Sequence, residues 1–301
     1  MARWIRVIAA LFTGLTGLSC LLILAMVAVI LGDIVIHGLP SLSWAFVSSF
    51  PSADLGHGGV FPAIFGTVAL VLLMTIAVVP LGVAAAVYLN EYAPQDSRIV
   101  SFVRLALQNL AGVPAIVFGL FGLGLFVRFA GGSIDRLFFG GTLTFGQPCI
   151  LWAALTLAIL TLPTVVVATE ESLRAVPRSY REAAYAMGAT RWQVVWRVVL
   201  PQSIGGMLTG GILAVSRGAG EVAPILFTGA AYYLKDLPSK LNDQFMELGY
   251  HVYVLTTQSP DVEKTKPILY ATVLVLLLVT FALNFVAVLI RSRIRRRLRS
   301  T

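Results

Sequence analysis

Residues 175–201 read AVPRSYREAAYAMGATRWQVVWRVVLP and are the least membrane-like stretch of this size in the chain. Pro177 stands where a first helical turn tolerates proline, and Gly188 stands where a helix C-terminal cap favours glycine. The pattern therefore predicts a first helix of about ten residues between these two positions.

A second helix is predicted to begin at Thr190, because Gln193 follows three residues later with the spacing of a capping box. Pro201 is expected to end this unit, since proline has no backbone N–H to donate to a continuing helix. The segment 170–201 is therefore predicted to be a structured loop between two apolar stretches.

The rest of the chain is strongly apolar. Of the 301 residues, 58% are hydrophobic and 12% are charged, and the mean hydropathy is +0.88. Soluble domains carry about 25% charged residues, so a water-soluble globular protein is excluded. A helix needs about 20 mostly apolar residues to cross the hydrocarbon core of a bilayer. Six such stretches predict one all-α integral membrane domain, 1–301, and they lie at residues 7–31, 60–88, 99–129, 148–169, 204–230 and 267–290.

Arginines are concentrated on one side of this predicted bundle. They occur before the first and third stretches, in the segment 170–201 and in a tail after residue 290, and they supply most of the net charge of +8. By the positive-inside rule this side is the cytoplasm, so both termini are predicted to lie there. Residues 231–266 then form an extracytoplasmic loop, although this segment holds all of the lysines together with several acidic residues. The location of the charge favours membrane orientation over nucleic-acid binding.

The first helix of the segment 170–201 has a face of small residues that includes Ala183 and Ala184. Alanines offer little to lipid but permit close approach to a protein groove, which favours docking onto a soluble partner. The alternative is a surface helix in the headgroup region, which Trp192 and Trp196 would favour.

Two charged residues, Arg217 and Glu221, lie inside the fifth apolar stretch. A central membrane arginine costs about 2.5 to 3.5 kcal/mol on insertion scales, so such residues normally face protein or a water-filled path. We expect both residues to line a substrate pathway, because a planar guanidinium binds oxyanions through two hydrogen bonds. The alternative is a purely structural ion pair on one helical face, which their spacing of four also allows.

The segment 170–201 resembles the EAA loop of ABC-importer permeases. The matching positions are Glu182, Ala183, Ala184, Gly188, Leu200 and Pro201. The resemblance implies the core fold of type I ABC importers, with six membrane helices, and it assigns these residues to coupling with a separate ATPase that binds ATP and Mg²⁺. The sequence contains no Gly-x-x-x-x-Gly-Lys-Ser/Thr phosphate loop, so this chain is not expected to be an enzyme that hydrolyses ATP by that route.

The run from Ser216 to Gly229 resembles more narrowly the phosphate-import permeases of this class. Residues 88–92, 112–121 and 181–186 agree with the same resemblance, and residues 223–229 favour one of the two sister permeases of such importers. One departure is Val167, at the end of the fourth stretch, where some relatives carry a basic residue.

The resemblance implies import of inorganic phosphate by a subunit with no catalytic residues and no cofactor of its own. The implied partners are a homologous second permease, ATPase subunits and an extracytoplasmic phosphate-binding protein. Three alternatives remain open: a permease for another oxyanion such as molybdate or sulfate, an ion-coupled carrier that uses the buried pair as a proton relay, and a scaffold without transport. A scaffold would leave the buried arginine unexplained.

Two smaller sets of residues are given no role in chemistry. His37, His57 and His251 are scattered without metal-ligand spacing, so no metal site is predicted. Gly206 and Gly210 are interpreted as close helix-packing positions.

Overall fold

The computed structural model describes residues 2–52, 58–94 and 96–299, and His57 lies outside them. Within this part the only β-structure is two isolated bridges, which confirms the all-α prediction. The α-helices are α1 Ala2–Gly38, α2 Trp44–Ser48, α3 Phe61–Val87, α4 Arg98–Leu110, α5 Ala115–Gly122, α6 Gly132–Phe138, α7 Ile150–Arg174, α8 Arg178–Ala186, α9 Arg191–Val194, α10 Leu200–Gly218, α11 Leu248–Thr257 and α12 Val262–Arg299. A 3₁₀ turn covers Leu39–Ser41, and π-helical segments cover Tyr88–Tyr92, Leu123–Gly131 and Val195–Val199.

Six helical segments in the described part are long and apolar enough to cross a membrane, and this confirms the predicted number of spans. They are Ala9–Ser41, Phe61–Tyr92, Ala115–Phe138, Ile150–Arg174, Arg191–Gly218 and Glu263–Arg296. The third and fifth spans each join two α-helices through a π-helical segment, and the second span is α3 extended by a π-helical segment. The fourth and sixth spans each lie within one long α-helix.

The third span lies later in the sequence than predicted. Residues 98–110 form the separate amphipathic helix α4, and the spanning segment begins only at Ala115 and runs to Phe138. The predicted span over 99–129 is therefore wrong at both ends. Arg104 and the polar residues near the end of α4 make one side of that helix too polar to face lipid. Pro114, in an extended conformation, then separates α4 from α5.

Helix α7 forms the centre of the bundle, where it packs between α3 and α10. Small residues permit the contact with α10: a Cβ added to Gly206 would lie 2.3 Å from Ser172 Oγ, and one added to Gly210 would lie 3.0 Å from the Ala168 Cβ. The predicted packing role of both glycines is confirmed. In a bilayer such close backbone approach, rather than exclusion of water, holds neighbouring helices together.

The fifth span is one continuous helix from Arg191 to Gly218, so Pro201 does not end the unit as predicted. The π-helical segment Val195–Val199 directly precedes this proline. A wider helical turn accommodates a proline ring that would clash with the preceding carbonyls of a regular α-helix.

The same helix ends at Gly218, well before the predicted end of the fifth span at residue 230. Residues 219–229 follow as hydrogen-bonded turns. Ala219, Ile225 and Thr228 are buried, so this irregular segment is covered by protein rather than exposed to lipid. Hydropathy does not distinguish such a covered apolar turn from a helix, and this explains the misplaced boundary.

The segment 231–266 contains α11, whose N-terminus is capped by Glu247. The Glu247 carboxylate accepts hydrogen bonds from two backbone N–H groups of the first helical turn, at 2.9 and 2.6 Å. Burial raises the pKa of Glu247 to about 7, and burial lowers the pKa of His251, one turn later, to about 4. The first residue of α11 donates its N–H to Thr67 Oγ1 at 3.0 Å, which fastens this segment to α3.

Candidate functional site

The segment 170–201 adopts the local structure that its sequence predicts, apart from its end. Helix α8 is followed by Gly188 with a φ of +81°, a left-handed conformation that favours glycine. Thr190 donates its N–H to Gln193 Oε1 at 2.8 Å, and Thr190 Oγ1 accepts from the Gln193 N–H at 3.4 Å. The predicted first helix and the predicted capping box are both confirmed.

Most side chains of α8 and of the turn after it are exposed. Met187 is 88% exposed and Tyr180 is 52% exposed, and Glu182 and Ala183 are exposed beside them. We call these four residues the α8 surface. Exposed apolar side chains clustered on one short helix are typical of a surface that a partner covers.

The predicted coupling residues fall in two places. Glu182, Ala183, Ala184 and Gly188 lie on α8 and its turn, whereas Leu200 and Pro201 lie at the start of α10 and are partly buried. Ala184 and Leu200 pack against the same buried cluster, which includes Val194 and Val199. Leu200 therefore supports α8 from the protein side and does not form part of its exposed surface.

Arg181 fixes α8 to the ends of α3 and α7. Its guanidinium donates to Glu91 Oε1 at 2.9 Å, to the Leu173 carbonyl at 2.9 Å and to the Val176 carbonyl at 2.6 Å. Glu91 belongs to the π-helical segment that completes the second span. The two carbonyls lie at and just beyond the end of α7, where unpaired backbone oxygens attract a cation. We call the pair Arg181–Glu91 the loop anchor.

Further charged contacts surround the loop anchor. Arg191 donates to the backbone carbonyl of Glu91, and its guanidinium lies over the Tyr92 ring at 5.3 Å from the ring centroid. Arg104 of α4 donates to Glu170 Oε1 of α7 at 3.2 Å and to the Leu89 carbonyl at 3.0 Å. Helices α4, α7 and α8 and the end of the second span are thus joined by hydrogen bonds to charged groups.

The second predicted site is the pair Arg217 and Glu221. Arg217 lies in the last turn of α10, and Glu221 lies in the turn beyond it. Arg217 Nε is 3.3 Å from Glu221 Oε1. The two residues therefore form an ion pair, but they do not share a helical face, because the helix ends between them. Among the described residues, no acceptor contacts the terminal N–H groups of the Arg217 guanidinium.

This pair lies near the middle of the bundle. A Cβ added to Gly218 would lie 2.4 Å from Met74 Sδ, and Met74 comes 13 residues after the first residue of α3, Phe61. At 1.5 Å per residue this places Gly218 about 20 Å from the start of α3, within a hydrocarbon layer of about 30 Å.

The residues that follow Arg217 in the chain include an open position and backbone donors without an acceptor. A Cβ placed on Gly220 would meet nothing within 4 Å. In the described part of the chain, the backbone N–H groups of Val222 and Ala223 also find no hydrogen-bond acceptor. A guanidinium and free backbone donors are the groups that bind an anion in a water-poor site.

One unbroken helix joins the two regions. The segment Arg191–Gly218 has 28 residues, which corresponds to about 42 Å. It begins with a residue that contacts Glu91, and its last turn carries Arg217. No loop therefore interrupts the helix between the residue that contacts Glu91 and Arg217.

Residues 78–300 match the family model described as Binding-protein-dependent transport system inner membrane component. The chain belongs to this family. It is 35% identical over 218 residues to the Probable ABC transporter permease protein YqgI of Bacillus subtilis, covering 72% of this chain and 69% of that protein. It is 31% identical to the Probable phosphate transport system permease protein PstA of Methanocaldococcus jannaschii, covering 91% of this chain and 90% of that protein.

The fold of this permease also matches a solved structure. A chain in the crystal structure of a bacterial alginate ABC transporter, in complex with an alginate pentasaccharide-bound periplasmic protein, superposes with a TM-score of 0.64. The alignment covers 89% of this chain and 91% of that chain at 15% identity, so it shows the fold alone. The predicted importer-permease core is confirmed, and as a multi-pass membrane permease this chain is not itself an enzyme.

The loop anchor of this permease was not predicted from the sequence. Glu91 lies at the end of an apolar span and Arg181 lies between Arg178 and Glu182, and both are in stretches that resemble phosphate-import permeases. The resemblance draws attention to each residue separately. It does not indicate that they form a pair, because they are 90 residues apart in the sequence. The departure at Val167 lies on an exposed side of α7, and the side chain is 39% exposed.

Proposed function

We propose that this permease is a membrane subunit of an ATP-driven importer of inorganic phosphate. The observation that carries the proposal is the guanidinium of Arg217, which among the described residues has a single contact, to Glu221, and lies at the end of an unbroken helix that begins at Arg191, beside the loop anchor. The named phosphate-transport relatives support the same substrate. In this proposal the helix Arg191–Gly218, which directly follows α8 and its turn in the chain, connects the docking surface to the anion-binding side chain.

The proposed partners follow from the two ends of the molecule. A separate ATPase, which holds ATP and Mg²⁺, docks on the α8 surface, and Glu182, Ala183, Ala184 and Gly188 form or shape that contact. A homologous second permease completes the pathway, and an extracytoplasmic phosphate-binding protein delivers the substrate to the opposite side. The structurally similar chain described above belongs to an alginate ABC transporter that was solved in complex with an alginate pentasaccharide-bound periplasmic protein. That assembly supports the proposed binding protein.

The proposed orientation places both termini and α8 in the cytoplasm. The support is that most arginines occur at the end of the bundle that carries α8 and in the tail of α12, whereas only Arg128, Arg136 and Arg217 lie elsewhere. The segment 231–266, with α11, then faces the outside.

The energetic problem is the charge of the substrate. An inside-negative potential opposes each negative charge by about 2.3 kcal/mol per 100 mV, and a phosphate dianion faces about twice that. In the proposed cycle, closure of the ATPase moves α8, the helix Arg191–Gly218 moves with it, and access to Arg217 alternates between the two sides. Phosphate competes with Glu221 for the guanidinium, which keeps binding reversible. No covalent bond forms on this chain.

The test is uptake of labelled phosphate by vesicles that contain this chain, a second permease, the ATPase and the binding protein. We expect uptake that requires both ATP and this chain, with molybdate and sulfate as weak competitors. Stronger competition by molybdate or sulfate would reassign the substrate to another oxyanion. Uptake driven by a proton gradient without ATP would instead favour an ion-coupled carrier.

A further inference from the structure

Helix α11 approaches the segment 219–229 more closely than a side chain would allow. Gly249, in the first turn of α11, is buried, and a Cβ placed on it would lie 2.7 Å from Val222 Cγ2. Real Cβ atoms essentially never come within 3.0 Å of another heavy atom. Only glycine at position 249 therefore permits this contact without displacing Val222.

The residues before α11 contact the other end of the same segment. The Ala231 N–H donates to the Phe245 carbonyl at 2.8 Å, and the Phe245 N–H donates to the Gly229 carbonyl at 3.4 Å. Together with the contact at Gly249, this pairing holds the segment 219–229 at both ends.

The start of α11 is itself fixed to the bundle. The Leu248 N–H donates to Thr67 Oγ1 of α3 at 3.0 Å, and both residues are buried. A Cβ on Gly66 would overlap the carbonyl oxygen of Met246, so α3 and the residues before α11 are in direct contact. Since α3 is part of a membrane span, α11 links the segment 219–229 to a fixed part of the bundle.

Val222 carries both the contact with Gly249 and one of the free donors. In the described part of the chain, the backbone N–H groups of Val222 and Ala223 have no acceptor. A valine side chain is stiff about its first torsion, so pressure on Cγ2 moves the backbone as well as the side chain. Hydrogen bonds weaken steeply when their angle falls to about 120°, so a small displacement at Val222 alters how well an anion is bound.

We infer that Gly249 is a positioning residue for the anion site. Because it lacks a side chain, Val222 settles against α11 in the position that leaves both N–H groups free. Gly249 acts through Val222 and is not itself a ligand. This inference rests on the proposed function, in which an oxyanion binds at Arg217, and it adds two backbone donors and the residue that positions them.

A purely structural role for Gly249 is the alternative. The same added Cβ would lie 3.1 Å from Glu247 Oε2, so it would press on the N-terminal cap of α11 as well. The two roles differ in what relieves the damage. Shortening Val222 removes the overlap with the segment 219–229, but it leaves the contact with Glu247 unchanged.

The test is equilibrium dialysis of labelled inorganic phosphate against the purified complex of this chain, the second permease and the ATPase, without the binding protein. We expect Gly249→Ala to raise the dissociation constant about tenfold, because weakening one hydrogen bond to a charged group has an effect of this size. Basal ATP hydrolysis by the complex should stay within about twofold, because α8 lies far from the substitution. Arg217→Gln should abolish the binding, which identifies the measured site.

Further variants separate positioning from loss of structure. In the double variant Gly249→Ala with Val222→Ala, the dissociation constant should return to that of Val222→Ala alone. Gly38→Ala creates an overlap of the same size, with its Cβ 2.7 Å from the Tyr270 carbonyl oxygen, but at the contact of α1 with α12. It should leave phosphate affinity within about twofold. If Gly249→Ala does not assemble, Val222→Leu enlarges the same contact from the other side and should weaken binding about tenfold.

Four outcomes would overturn the inference. Absence of phosphate binding to the wild-type complex would show that the site does not hold the anion by itself. Unchanged affinity in Gly249→Ala would show that the contact does not position the donors. Failure of Val222→Ala to relieve the effect would leave a structural role in the cap of α11. Binding that persists in Arg217→Gln would place the measured phosphate elsewhere. Because binding is measured apart from uptake, ATP-driven phosphate uptake by the wild-type importer would leave the proposed function standing in each case.

Discussion

The two arginine–glutamate pairs of this permease differ in how firmly their arginine is held. In the loop anchor, the side chains of Arg181 and Glu91 are 17% and 11% exposed, and the arginine also donates to two backbone carbonyls. In the pair of Arg217 and Glu221, the side chains are 35% and 22% exposed, and a single contact of 3.3 Å joins them.

This difference separates a structural role from an exchangeable one. A buried arginine with several acceptors cannot leave its partner without uncovering unpaired charge, which costs several kcal/mol. The partly buried pair of Arg217 and Glu221 has only one contact to break, so a ligand anion can replace the carboxylate by accepting hydrogen bonds from the same guanidinium. The loop anchor is therefore suited to transmit movement, and Arg217 is suited to bind and release an anion.

The largest effect is expected for Arg217→Gln, which removes the exchangeable cation. A hydrogen bond to a charged group contributes about 1.5 to 3 kcal/mol, so phosphate uptake should fall about hundredfold at limiting substrate. Arg217→Lys should fall between Gln and wild type, because lysine keeps the charge but loses the planar fork. The measurement is initial uptake rate in reconstituted vesicles.

The matched control for this prediction is Arg128→Gln, which removes an exposed arginine from the third span. It should leave uptake nearly unchanged. Near-normal uptake in both Arg217→Gln and Arg217→Lys would show that Arg217 does not bind the substrate. The ion pair of Arg217 and Glu221 would then have a structural role, like the loop anchor.

The next effect is expected on the α8 surface. Ala183→Trp places a large side chain where the proposed ATPase groove closes on α8, and overpacking of this kind costs about 1 to 3 kcal/mol. Affinity for the ATPase should fall about thirtyfold, as measured by titration of the detergent-solubilised permease. Thermal stability should not change, because Ala183 is exposed.

Ala175→Trp provides the control for Ala183→Trp, since Ala175 is also exposed but lies outside α8. If both substitutions weaken ATPase binding equally, the contact is not specific to α8. If neither substitution weakens ATPase binding, α8 is not the docking site. It is then a surface helix in the lipid headgroup region, which is the alternative that the sequence left open.

A double-mutant cycle compares the two pairs directly. Arg181→Gln and Glu91→Gln, alone and together, should show a coupling free energy of unfolding of about 1.5 kcal/mol. The same cycle on Arg217 and Glu221 should give less than about 0.5 kcal/mol. Equal coupling energies in the two cycles would contradict the division into a fixed pair and an exchangeable pair.

The sequence predicted local features of these regions better than distant contacts. The helix caps at Thr190, Gln193 and Gly188 depend only on residues close in sequence, so they could be predicted from the sequence. The pairing of Glu91 with Arg181 depends on how two spans pack, and nothing in the chain between them encodes it. The number of spans followed from hydropathy, but the end of α10 did not, because residues 219–229 are as apolar as a helix and are shielded by protein.

For the wild-type permease the smallest effect is expected at Glu247, a buried carboxylate that accepts hydrogen bonds from two backbone N–H groups and from Thr67, and that has no arginine partner among the described residues. Its pKa is raised to about 7, so the folded state holds this proton more tightly than the unfolded state. Its contribution to stability is present below about pH 4.5 and is lost as pH rises to about 7. For His251 the pKa is lowered to about 4, so its contribution is lost as pH falls from about 6.5. Between about pH 4.5 and 6.5 the two slopes oppose each other.

Protection of the α11 amides from hydrogen exchange should therefore change little in the wild-type permease across that window. In Glu247→Gln, protection should rise with pH, and in His251→Gln it should fall with pH, each by at most about 1.4 kcal/mol per pH unit. His37→Gln, which alters a histidine outside this segment, should keep the flat wild-type profile. A steep wild-type profile would mean that the two groups do not offset each other. In that case Glu247, which is held only by neutral donors, would respond to pH without compensation by His251.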